Sequence, residues 1–334
     1  MAATIPIHDA PLTGPTAWRG EDLGNQEVWT YRLPPKVLDE FDAAVCRIRG
    51  AAREIPTLTI ADFPAPSFAL AAASMRRDLE SGRGFVVVTG LPMDHFGDDG
   101  AAILYWGIAT FLGTPIPQNA KGDYLFAVRD EGYNFERDYG AAGVRISRTA
   151  SAIDFHTDSS AGYAGYTPDI VSLLAFQTAK MGGVTALASA STIHNILRDE
   201  RPDSLQRLYQ PFYFDRRAEL RPGQSPTLQA PVFSYADALA IRYFRFNLIK
   251  GHETAAAPLS AADLEALEAL EEACRRPGVA VTFEMRRGDM QFVNNRSVLH
   301  SRSAFEDHVE PERRRHLLRL WLKYGVAIPK PRVC

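Results

Sequence analysis

From about residue 120 onward the chain is cut into short apolar runs, most of them closed by Gly, Pro, Asp or Asn. "DYLFAVRD", "DIVSLLAFQ", "GGVTALAS", "APVFSY", "IRYFRFN", "GVAVTFEM", "DMQFVNN" and "RHLLRLWLKY" follow one another in this way. Short runs with turn punctuation read as strands, and many short strands close into a sandwich or barrel. Two stretches of helical spacing interrupt them, "SASTIHNILRDERPDSLQRLYQ" and "SAADLEALEALEEACRR". In the second, Ser260 stands at the N-cap and Asp263 at the capping-box position.

The part before residue 120 has a different texture. The first thirty-odd residues (about 1–35) are rich in Pro, Gly and Thr and are expected to wrap the surface. "PPKVLDEFDAAVCRIRG" predicts a helix with Pro35 near its start and Gly50 at its end, and "SFALAAASMRRDLESGRG" a second. "GFVVVTGLP" reads as a buried strand. "DDGAAILYWGIATFLGTPIPQ" reads as a third helix, begun by Asp98 and Asp99 and ended by Gly113. Helices first and strands afterwards fit a helical layer over one β-sandwich, an α+β to mainly β architecture. With no repeat or low-complexity linker, the expectation is a single domain over 1–334, its core at about 80–324.

Composition bounds the setting. A chain of 334 residues, 46% hydrophobic and 23% charged, buries a core without needing disulfides. Cys46, Cys274 and Cys334 are far apart and form no CxxC or Cys/His zinc spacing, which suits a reducing, cytoplasmic location. A net charge of −3 argues against a nucleic-acid partner. The N-terminus lacks a signal-peptide pattern, and no apolar run approaches the ~18–20 residues that span a bilayer. Homo-oligomerisation is left open.

The chemistry gathers around "FHTDSS". If residues 156 to 158 are extended, His156 and Asp158 project to one face and reach one ion. His300, ending a strand-like run in "NNRSVLHSRSAF", is the candidate third ligand. Two histidines and a carboxylate on one face of a metal make the facial triad of non-haem iron(II) oxygenases, with positions left open for reactants. Alone, each piece has a bland alternative, an exposed loop for HTD and a satisfied structural histidine for His300. In "PERRRHLLRLWLKY", strand alternation turns Arg319 away from Leu318, Leu320 and Leu322. A guanidinium aimed into a core needs an anion, and its fork matches a carboxylate, so Arg315 and Arg319 are read as ligand-binding. Arg313 and Arg314 read as a solvated turn answering Glu310 and Glu312.

Taken in order, HTD, "GGVT", "GDMQFVNNRSVLHSRSAFED" and "RRHLLRLWL" resemble the TauD/TfdA family of Fe(II)- and 2-oxoglutarate-dependent dioxygenases, over roughly residues 80–324. The resemblance implies a double-stranded β-helix (jelly-roll) core with covering helices. It also implies an oxidoreductase that uses Fe(II), 2-oxoglutarate and O2 and releases succinate and CO2. His156, Asp158 and His300 would hold iron, Thr185 and Arg315 the far carboxylate of 2-oxoglutarate, and Arg319 either cosubstrate or substrate. The family turn is usually Gly-Gly-Glu-Thr or Gly-Gly-Asp-Thr. Here Val184 replaces the acid, which leaves Thr185 in place but unsettles its local hydrogen bonding. Halogenating relatives carry a small residue where Asp158 stands, so hydroxylation of a small organic metabolite is favoured over halogenation. Desaturation, epoxidation or ring formation would need the same ligands.

Candidate substrate residues are Ser159, Ser160, Tyr163 and Tyr166 beside the metal motif, with Tyr124, Phe126, Arg129, Arg245 and Asn247 opposite. Two rivals of other classes are a zinc hydrolase using the same three ligands and a non-catalytic jelly-roll binding module. Neither gives the Arg315 and Thr185 pair a purpose.

Overall fold

The computed structural model describes residues 7–138, 145–162, 166–216, 220 and 223–325. Its largest sheet has seven strands, in spatial order β1 (Thr30–Arg32), β2 (Phe85–Thr89), β14 (Met290–Asn294), β6 (Ile170–Gln177), β17 (His316–Lys323) and β3 (Thr114–Ile116), with β4 (Phe126–Val128) also on β17. Facing it is a four-stranded sheet in the order β13 (Val281–Phe283), β8 (Thr185–Ser189), β15 (Val298–Arg302) and β5 (Ile153–His156). Three two-stranded pairs complete the set. They are β7 (Met181–Gly182) with β16 (Phe305–Glu306), β9 (Pro211–Asp215) with β10 (Thr227–Pro231), and β11 (Phe233–Tyr235) with β12 (Leu239–Ile241). This is the double-stranded β-helix expected from the sequence.

Helices α1 (Pro35–Gly50), α2 (Pro66–Ser81) and α3 (Met93–Leu112) cover the outer face of the large sheet. Phe41, Phe63, Phe68, Trp106 and Ile108 pack there with Val86, Val88, Phe292, Leu174, Leu318 and Leu320. Each such side chain contributes roughly 1.5–3 kcal/mol when fully buried. The short α4 (Phe135–Asp138) follows β4. On the other side α5 (Ala190–Glu200), α6 (Pro202–Leu208) and α8 (Ala261–Arg275) form a second cluster with Ala188, Leu299 and Trp321. Ser260 caps α8 and Asp263 closes the capping box, as the sequence predicts.

Several sequence expectations need correction. The first thirty-odd residues do more than wrap the surface. Trp18 and Trp29 are buried against Phe85, and β1 pairs in parallel with β2. A short helical stretch begins at Met93, ahead of the long run that Asp98 and Asp99 start as the sequence predicts. They follow a break at Gly97, whose φ of 62° only glycine adopts without strain. The helix ends at Gly113 as predicted, and the residues after it form β3. "SASTIHNILRDERPDSLQRLYQ" is two helices, because Pro202 has no N–H with which to continue α5 and instead opens α6. "IRYFRFN" is not a strand. Only Ile241 belongs to β12, and Arg245 begins helix α7 (Arg245–Thr254). Among the described residues no helix is long and apolar enough to cross a membrane. Cys334 lies outside the described residues.

Candidate metal centre and carboxylate cavity

The site forms where the small sheet faces the interior of the large one. β5 and β15 are antiparallel neighbours with His156 directly opposite His300, and the two ring centroids are 4.2 Å apart. Asp158 is not on the strand. β5 ends at His156, and the chain turns through 157–162, with Ser159 at φ 55°. The strand therefore stops at the first residue of HTD, yet the residues converge. Asn295 holds the turn in place. Its Oδ1 accepts from the Asp158 N–H at 2.7 Å, and its Nδ2 donates to the Asp158 carbonyl at 2.9 Å.

One ligand atom from each of His156, Asp158 and His300 lies within 4.8 Å of the others. Asp158 Oδ1 is 3.6 Å from His156 Nε2 and 3.8 Å from His300 Nε2. His156 Nδ1 sits 2.8 Å from the Asp154 carbonyl oxygen, which can only accept, so Nδ1 carries the proton and Nε2 offers its lone pair inward. The other carboxylate oxygen is already engaged. Asp158 Oδ2 accepts from Trp321 Nε1 at 2.8 Å and pairs with Arg319 Nη1 at 3.0 Å. Burial would push the Asp158 carboxyl up, but Arg319 and the two histidines outweigh it and hold it well below the usual carboxylate range. His300 is pushed down to about 4 by burial and by the neighbouring His156, so its imidazole is neutral and suited to a metal.

A cavity opens from the triad along Ile153, Val171, Leu173 and Gln291 to Thr185, Arg302 and Arg315. Thr185 on β8 is 8% exposed and lies opposite Arg302 in the β8–β15 register. Arg315 immediately precedes β17, with its backbone N–H donating to Asp307. Burial pushes its guanidinium down to about 10, opposed by Asp307. Gly183, at φ 71°, lies so close that a Cβ there would come within 3.2 Å of Arg315 Nε. The Gly-Gly turn thus gives this arginine its room. Ser147 Oγ, Gln291 Oε1, His300 Nδ1, Arg302 Nε and Nη1 and Arg315 Nη1 are all buried without a hydrogen-bond partner among the described residues. So many orphaned polar atoms around one cavity fit a polar ligand, since leaving each unsatisfied costs about 1–3 kcal/mol. The donors also fit their parts, with imidazole nitrogens and a carboxylate at one end and cationic forks at the other.

A second cavity adjoins the first at the triad. Arg145, Ile146, Ser147, Phe244, Asn247 and Trp321 line it beside His156 and Asp158. Ser159 and Asn247 fall here as expected, and Asn247 Nδ2 donates to Ser160 Oγ at 3.0 Å. The Ser159 hydroxyl donates to the Tyr166 carbonyl, while Tyr163 lies outside the described residues. Phe126 sits beneath Arg319, 5.0 Å from ring centroid to guanidinium carbon, next to the cavities and not in their lining. Three assignments are corrected. Tyr124 packs edge-on to Trp106 in the helical layer, and Arg129 is exposed near Glu131. Arg245 points to α8, where Glu268 and Glu271 pair with it at 2.9 and 2.8 Å. Arg319 pairs with Asp158 and Gln118 and lines both cavities. Arg313 and Arg314 are exposed, Arg313 near Glu310, as the sequence suggests.

Sequence reasoning missed Gln118, Arg145, Gln291, Asn295, Arg302 and Trp321. For Arg302 a signal existed, because it lies two residues beyond His300 on one strand and shares its face.

A jelly roll with this layout defines an oxidoreductase of the 2-oxoglutarate-dependent non-haem iron dioxygenase class, whose cofactors are Fe(II), 2-oxoglutarate and O2. The chain belongs to the taurine catabolism dioxygenase TauD, TfdA family, whose profile matches residues 51–321. It is 29% identical over 323 residues to FR-33289 synthase of Streptomyces rubellomurinus (strain ATCC 31215), covering 95% of this chain and 92% of that one. Asparagine oxygenase in complex with Fe(II), 2S,3S-3-hydroxyasparagine and succinate shares the fold at TM-score 0.69 and 18% identity, covering 88% of this chain and 93% of that one. The non-haem iron oxygenase OrfP in complex with Fe, succinate and (3S)-hydroxy-L-Arg does so at TM-score 0.63 and 14% identity, covering 88% and 94%.

Proposed function

We propose that this dioxygenase hydroxylates a small polar metabolite of amino-acid-like character. In this reading His156, Asp158 and His300 hold the iron, and Thr185 with Arg315 bind the distal carboxylate of 2-oxoglutarate. The observation that carries it is the pair of cavities meeting at one triad, the first ending in buried guanidinium donors without partners among the described residues. Asparagine and arginine derivatives in the structural neighbours support an amino-acid-like substrate.

When bound, the iron supplies oxygen activation coupled to decarboxylation of the keto acid. The chain's own residues prepare for this. Arg319 and Trp321 engage Asp158 Oδ2 and so present only Oδ1 to the metal, which keeps adjacent positions free for reactants. The Asp154 carbonyl fixes the His156 tautomer. Val171, Leu173 and Ile153 keep the keto-acid channel dry, which strengthens the guanidinium–carboxylate contact at its end. In the second cavity Arg145, Ser147 and Asn247 supply charge and hydrogen bonds to orient a polar substrate against Phe244. We assign Arg319 the task of positioning the metal carboxylate.

The test is anaerobic addition of Fe(II) and 2-oxoglutarate, followed by O2 and a panel of free and N-modified amino acids. The expected result is a weak visible charge-transfer band, then succinate release stimulated by the substrate. Retention of zinc with neither band nor succinate refutes the reading.

A further inference from the structure

We propose that Arg302 is a second guanidinium in the carboxylate cradle, binding the distal carboxylate of 2-oxoglutarate together with Arg315 and Thr185. The inference rests on the dioxygenase reading above.

The geometry places it there. Arg302 is 8% exposed and lines the same cavity as Thr185, His300 and Arg315. The β8–β15 register is regular through this region and sets Arg302 directly across from Thr185. Both guanidinium carbons flank one ring, Arg302 at 4.8 Å and Arg315 at 5.0 Å from the Phe305 centroid. One nitrogen of Arg302 is used by the fold, since Nη2 donates to the carbonyls of Thr149 (at 2.7 Å) and Ser151. Among the described residues, the buried Arg302 Nε and Nη1 and Arg315 Nη1 have no hydrogen-bond partner. Among the described residues no carboxylate bonds to either guanidinium, and two neighbouring buried cations are costly unless an anion comes between them. A carboxylate has lone pairs enough to accept from both forks and from the threonine hydroxyl. A monoacid lacking the far carboxylate would leave these donors unsatisfied, so the cradle selects a 2-oxo diacid.

The competing account makes Arg302 only a clamp on the 149–151 backbone. Anaerobic Fe(II)-loaded wild type, Arg302→Gln and Arg302→Lys would be titrated with 2-oxoglutarate and with 2-oxovalerate, which has a methyl group in place of the distal carboxylate. Calorimetry and the visible band report the ligands, and a separate titration reports the metal. Arg302→Gln is expected to weaken 2-oxoglutarate by roughly tenfold or more while shifting 2-oxovalerate less than about twofold, with metal binding unchanged. Unaltered 2-oxoglutarate affinity, or equal losses for both acids, overturns the proposal. If the glutamine variant does not fold, Arg302→Lys, which keeps the charge, carries the test. A smaller but still diacid-selective loss supports the proposal, and a non-selective loss or none overturns it. Failure of the wild type to bind 2-oxoglutarate would instead sink the dioxygenase reading.

Discussion

β17 has two faces that live in different worlds. Leu318, Leu320 and Leu322 look outward into the helical layer with Val86, Phe292 and Trp106. Arg319 and Trp321 look inward to Asp158. The outer face is held by non-directional burial, which depends on volume and little else. The inner face depends on named partners, where removing one atom strands another. A single strand therefore carries stability on one side and chemistry on the other, and substitutions should separate the two.

The sharpest separation comes from the metal end. His300→Ala is expected to abolish most substrate-stimulated succinate formation, on the order of a thousandfold, while the unfolding midpoint of the metal-free protein does not fall. Stopped assays with thermal melts check both halves. Leu320→Ala should do the reverse, costing about 2–5 kcal/mol in denaturant unfolding and leaving 2-oxoglutarate affinity of the folded fraction unchanged. A matching fall in affinity would show that the two faces are coupled.

Trp321→Phe tests the inner face more finely. It keeps an aromatic ring and removes the N–H that engages Asp158 Oδ2, so metal affinity should weaken by about 10- to 100-fold in a competition titration. The smallest effect concerns a polar group in the apolar surroundings of α5. His194 is buried, with Nδ1 lacking a partner, and its pKa is pushed down to about 4 from 6.5 by burial and by the nearby His8. Above 6.5 neither state takes the proton. Between 6.5 and about 4 the unfolded chain takes it and the folded one resists, so stability falls as pH drops. Denaturant midpoints measured across this window should fall less steeply in His194→Gln.

The same division governs what the sequence revealed. Strands such as "RHLLRLWLKY" were legible because alternation writes both faces into the residue order. Helix α7 was not. Asn247, Leu248, Gly251 and His252 are its buried residues, polar and apolar together, so no apolar stripe marks it. Within the site, His156, Asp158, His300, Thr185 and Arg315 could be picked out by type and order, and the fold gathers all five around one cavity. Arg245 misled because its partners, Glu268 and Glu271, come from a helix whose docking no local pattern encodes. Gln291 and Trp321 were invisible for a related reason: ordinary core positions by pattern, they gain meaning only from what stands opposite.

The placement of Asp158 in a turn, beyond the last paired residue of β5, has a consequence for how such an enzyme changes over time. The two histidines sit on paired strands, directly opposite one another in the ladder. The Asp158 backbone is held by bonds to Asn295 that do not involve its side chain. Position 158 is thus an editable socket. Its chemistry can be rewritten without shifting the register of any strand, which lets new reactivity be sampled on an unaltered frame.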